Sequence, residues 1–189
     1  MIYEFCAENV TLLEKAMQAG ARRIELCDNL AVGGTTPSYG VTKAAVELAA
    51  NYDTTIMTMI RPRGGDFVYT DLEIAIMLED IRLTTQAGSQ GVVFGALTAD
   101  KKLDKPNLEK LIAASKGMEI VFHMAFDELS DEDQLEAIDW LSQVGVTRIL
   151  TRAGVSGDSL EKRFAHYHRI LEHAKGKIEI LPGGGIDLD

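Results

Sequence analysis

Two short segments of this chain repeat one signature, Glu4-Phe5-Cys6 and Glu25-Leu26-Cys27. In an extended strand, residues two apart share a face, so each segment presents a carboxyl group and a thiol on one side. If the two strands are neighbours, the thiols of Cys6 and Cys27 approach each other. A thiolate pair suits a soft ion such as Cu(I), which accepts few ligands, whereas a structural zinc site wants four. Two cysteines buried as small apolar residues would leave the same pattern.

A second chemical stretch is Ile60-Arg61-Pro62-Arg63-Gly64-Gly65-Asp66-Phe67, which follows the run Ile56-Met57-Thr58-Met59. Guanidinium forks capture carboxylate or phosphate in bidentate fashion, and the Gly-Gly backbone permits close approach to a ligand. Arg61, Arg63 and Asp66 are therefore candidate ligand-binding residues. An ion pair between Arg61 and Glu25 or Glu4 is the competing expectation. His123 closes the apolar run Ile120-Val121-Phe122, with Asp127 four residues on. A histidine oriented by a carboxylate serves as a general base or a metal ligand, and a satisfied core histidine has the same spacing. Gly183-Gly184-Gly185 follows another apolar run and offers backbone N–H groups to an anion, with Gly184 at its centre, although a tight turn explains it equally well. Met57 and Met59 share a strand face and read as packing.

Each of these groups sits just after an apolar strand, and strands alternate with amphipathic helices at roughly 25- to 30-residue intervals. Strands are expected at about 4–6, 23–27, 55–60, 91–95, 119–123, 148–151 and 178–181, and helices at about 10–19, 41–50, 71–87, 107–115, 130–143 and 159–174. Near-continuous apolar strands between helices mean an α/β fold with a helix-covered parallel sheet. Polar residues after every strand favour a (β/α)8 barrel, whose loops converge on one mouth. Seven β/α units are visible and the last helix and strand are missing, so strands one and seven are expected to be unpaired edges. Either a C-terminal continuation or another chain would cover that seam.

The 189 residues fit one domain with a sizeable core. A net charge of −10 with scattered Lys and Arg argues against nucleic acid, and no apolar run approaches the roughly 20 residues of a membrane span. Met1 leads straight into the first strand without a signal-like segment, which favours the cytoplasm, where two cysteines remain thiols.

Taken together, Arg23-Ile24-Glu25-Leu26-Cys27, Gly33-Gly34-Thr35-Thr36-Pro37-Ser38, Met59 through Phe67, Val93-Phe94-Gly95-Ala96-Leu97, Ala125-Phe126-Asp127 and Pro182-Gly183-Gly184-Gly185 closely resemble the CutC copper homeostasis family over nearly the whole chain. The resemblance implies a cytoplasmic TIM barrel linked to copper tolerance, assembling as a homo-oligomer (a dimer or tetramer), with Cu(I) bound at Cys6 and Cys27. The chain departs from the family pattern at Met124, where an arginine is usual, and at Arg152, where a small residue is usual. Strands five and six are expected to be adjacent, so Arg152 is expected to supply the charge missing at Met124. An alternative reading is an enzyme acting on a small anionic metabolite, with Arg61 and Arg63 as clamp, Glu25 or His123 as base, and Asp66 and Asp127 as orienting groups. Nothing in the sequence names a reaction.

Overall fold

The computed structural model describes residues 2–154 and 158–184. Seven strands, β1 (Glu4–Glu8), β2 (Arg23–Cys27), β3 (Thr55–Met59), β4 (Gly91–Phe94), β5 (Glu119–Phe122), β6 (Arg148–Thr151) and β7 (Glu179–Pro182), form one parallel sheet in chain order. Six helices connect them: α1 (Leu13–Gln18), α2 (Tyr39–Ala49), α3 (Asp71–Ala87), α4 (Lys105–Ala114), α5 (Asp131–Gln143) and α6 (Leu160–Ala174). The sheet curls into an open barrel. Arg23 on β2 reaches Glu179 on β7 at 3.8 Å, and Arg148 on β6 lies 3.8 Å from the Met57 sulfur on β3. Among the described residues β1 and β7 are the unpaired ends of the sheet, as the seven-unit pattern predicts.

Local chemistry sets the element ends. Thr70 and Glu73 form a reciprocal capping box that starts α3, and Gly88 ends it at φ 89°. Ser38, Asp104, Ser130 and Ser159 each accept a backbone N–H at the start of the helix that follows. Helix α1 is shorter than the apolar periodicity predicts. Asn9 and Leu12 adopt left-handed backbone angles, so the chain turns until Leu13, leaving Val10 and Leu12 exposed.

Strand alternation sorts the core into two sides. Ile24, Leu26, Ile56, Val92, Phe94, Ile120, Phe122 and Ile149 face the helices. Cys27, Met57, Met59, Val93 and Val121 fill the barrel interior with Leu150 packed against them. Below them, at the N-terminal ends of the strands, lies an ionic floor. Buried Arg23 pairs with Glu4, and buried Arg148 pairs with Glu119 and, at 3.5 Å, with Glu179. Both arginines stand at strand starts, at the opposite end of the barrel from the C-terminal loops where the candidate residues gather.

Candidate functional site

The parallel register places Cys6 opposite Glu25 and Glu8 opposite Cys27, so the two cysteines are diagonal neighbours with Glu25 between them. One donor atom each from Cys6, Glu25 and Cys27 lies within 4.8 Å of the others. Cys6 is exposed and Cys27 buried. A hydrogen bond from the neighbouring Cys27 thiol favours the Cys6 thiolate and brings its pKa down to about 7, against the opposing effect of burial. The same hydrogen bond, with burial added, pushes Cys27 upward. Burial is also the main cause of a strongly raised Glu25 carboxyl, whose Oε1 is enclosed without a hydrogen-bond partner. The trio thus combines a readily ionised outer thiol with an inner thiol and a carboxyl group whose burial favours their protonated forms. Two sulfurs and one oxygen at this spacing fit a soft, low-coordinate ion. Glu25 is the donor that the paired-cysteine reading lacked, and only the strand register reveals it.

Gly34 closes this corner. At φ 85° it holds a backbone angle that suits glycine, and a Cβ there would come 3.1 Å from the Cys27 sulfur. The Gly33–Ser38 loop is in turn held by Arg61. Its backbone N–H donates to Thr36 Oγ1 and its carbonyl accepts from Thr36 N–H, each at 2.9 Å. The buried guanidinium donates to the carbonyls of Val32 (2.9 Å), Gly34 (3.0 Å) and Gly65 (2.7 Å) and lies 4.9 Å from the centre of the Phe67 ring. It forms no ion pair with Glu25, Glu4 or any other described carboxylate, and its Nε–H has no acceptor.

Arg63 and Asp66 belong to a separate network. Arg63 pairs with Glu73 at 2.5 Å and Asp66 at 3.0 Å and donates to the Val68 carbonyl, fastening the loop to the start of α3. The two arginines of the expected clamp are thus held by different partners.

His123 is buried with its ring against Phe67, the ring centres 4.8 Å apart. Gly95 makes room for it, since a Cβ there would stand 2.7 Å from the imidazole Cε1. Its Nδ1 accepts from the Ala125 N–H, which leaves the proton on Nε2, buried and unpartnered. Burial, and next the Arg61 charge, lower its pKa to about 3, so the ring is neutral at ordinary pH. Asp127 does not orient it. A 3₁₀ turn at Met124–Glu128 carries that carboxylate to β6, where it accepts from the Thr151 hydroxyl and, at 3.1 Å, from the Arg152 backbone N–H. Burial raises Asp127 while these hydrogen bonds lower it. The Arg152 guanidinium reaches the Met124 sulfur at 4.0 Å, so its charge stands beside the position where the arginine is absent. Gly184 packs against both, with space for a Cβ only 2.9 Å from Met124 Cε. Gly185 lies outside the described residues.

The open parallel barrel, with chemistry-bearing side chains on its inner face and at the C-terminal strand ends, defines a TIM-barrel-type protein. An aldolase of that fold superposes with a TM-score of 0.70 at 15% identity, over 98% of this chain and 80% of its own, a likeness of fold alone. Residues 1–189 match the CutC family model, and the chain belongs to the CutC family. It is 51% identical to the family protein CutC of Enterococcus faecalis over 100% of this chain and 90% of that protein. It is 42% identical to the human copper homeostasis protein cutC homolog, over 98% of this chain and 65% of that protein. The crystal structure of the Streptococcus agalactiae CutC protein superposes with a TM-score of 0.94 at 45% identity, covering 98% of this chain and 89% of that one.

Proposed function

We propose that this chain binds Cu(I) as cargo through Cys6, Glu25 and Cys27, within a role in copper homeostasis. The observation that carries the reading is the convergence of two thiols and an unpartnered carboxyl oxygen within 4.8 Å on one face of neighbouring strands. Cys6, exposed and already part thiolate near neutral pH, is the entry ligand. As the ion moves inward Cys27 releases its proton to solvent, and Glu25, on losing its own proton, supplies an oxygen. Thiolates are the ligand type that selects Cu(I), whereas the arginines and the neutral histidine elsewhere in the barrel are poorer matches. The reading carries with it a reducing, cytoplasmic setting that keeps both thiols free. The relatives' names support the copper assignment. No helix among the described residues is long and apolar enough to cross a membrane. Exposed apolar residues on either side of the seam, Tyr3 and Leu12 on one and Leu160 and Phe164 on the other, support assembly into a dimer or tetramer.

The test is a Cu(I) titration against a chromophoric chelator under reducing conditions, on the native chain and on Cys6→Ser and Cys27→Ser. Binding of one ion per chain that weakens in both variants supports the reading. Equal affinity in all three proteins overturns it.

A further inference from the structure

The inner mouth holds a second group of buried polar atoms that copper binding leaves unused. The Arg61 Nε–H, the His123 Nε2–H and the Tyr69 hydroxyl are each enclosed without a hydrogen-bond partner, in side chains that are 4%, 3% and 8% exposed respectively. They lie together. Arg61 and His123 both contact the Phe67 ring, at 4.9 and 4.8 Å from its centre, and the Arg61 charge acts on both His123 and Tyr69. All three offer protons, and buried donors with no acceptor are costly. Arg61 also carries a positive charge that no described carboxylate neutralises, although Glu25 stands unpaired in the same interior. A buried cation with open donors around it is matched by an anion.

The geometry points to a binding site for a small carboxylate, seated against Arg61, Tyr69 and His123 behind the Phe67 ring. One fixed positive charge matches one negative charge. Three of the five Arg61 hydrogens already hold backbone carbonyls, which leaves two for the ligand, and a phosphate dianion would bring a second negative charge with no second cation to meet it. The neutral histidine suits the role, because it donates from Nε2 without adding a second charge. Phe67, half-buried on the loop that bears the two glycines, is the side chain that must swing aside for entry. The site is distinct from the cysteine pair and stands whether or not copper binds there.

The test is an NMR titration with malonate, and separately with inorganic phosphate, following the 15N signals of the His123 ring and the Arg61 Nε. Arg61 also fastens two loops, so the variants used are His123→Phe, which keeps an aromatic ring over Gly95 but removes the donor, and Cys6→Ser as a control. Saturable malonate-dependent shifts in the native chain and in Cys6→Ser are expected. Binding by His123→Phe should be weaker by about tenfold or more, the effect of one lost hydrogen bond to a charged group. No saturable shift with malonate, equal malonate affinity in His123→Phe, or saturation by phosphate alone would overturn the assignment.

Discussion

Gly34 lies against the buried thiol of Cys27, with room for a Cβ only 3.1 Å from the sulfur, so the backbone of one loop sets how far the inner thiol can move. Gly34→Ala places a side chain both on that sulfur and at a left-handed backbone angle. It is expected to cost about 1–2 kcal/mol of stability and to weaken Cu(I) binding although no ligand is altered. Urea unfolding and chelator competition on the same sample measure the two effects. An unweakened Cu(I) affinity would separate this loop from the metal corner.

Glu25→Gln distinguishes a ligand from a packing residue. Burial raises the pKa of the native carboxyl and so favours its neutral form, and the nearly isosteric amide should change stability by under about 1 kcal/mol. Cu(I) affinity should fall, because the amide cannot shed a proton to become the anionic oxygen donor that the carboxyl becomes when the ion arrives. A large loss of stability with unchanged copper affinity would assign Glu25 to the fold alone.

His123 makes stability pH-dependent. Its folded-state pKa of about 3 lies below the ordinary 6.5, so under acid the unfolded chain takes up a proton that the folded chain refuses. Stability is therefore lost as pH falls from about 6.5 toward 3, at up to about 1.4 kcal/mol per pH unit from this one group. Urea midpoints at several pH values, compared between the native chain and His123→Phe, should show a flatter acid limb in the variant. Parallel limbs would mean that the ring is not buried in its neutral form.

Arg61→Lys should destabilise the chain by about 2–4 kcal/mol, since a compact ammonium cannot span carbonyls on two separate loops as the planar fork does. Faster hydrogen exchange concentrated at Val32–Gly34 and Gly64–Gly65 would locate the loss. Exchange unchanged in both loops would contradict the clamp.

The alternation of strands and helices was readable because interior strands are apolar on both faces and the helices carry clear caps. The shared face of Glu and Cys in β1 and β2 was readable for the same periodic reason. What the sequence hid depends on register and on backbone acceptors. Cys6 faces Glu25 because of the stagger between neighbouring strands, which no spacing within one strand encodes. Arg61 spends its donors on carbonyls, which every residue possesses, so no acidic partner in the sequence marked its role. The four-residue spacing of His123 and Asp127 suggested a pair, but the chain leaves β5 through a 3₁₀ turn and delivers Asp127 to Thr151 instead. Arg23 and Arg148 find their carboxylates chiefly on the neighbouring strands, a matter of register, and barrel curvature adds the contact of Arg23 with Glu179.

The most direct measurement of the central claim is the copper K-edge X-ray absorption spectrum of the Cu(I)-loaded native chain. The account predicts a low-coordinate Cu(I) centre with two sulfur neighbours and one oxygen, losing one sulfur in Cys27→Ser. A first shell of nitrogen and oxygen alone, or one unchanged by Cys27→Ser, would contradict it.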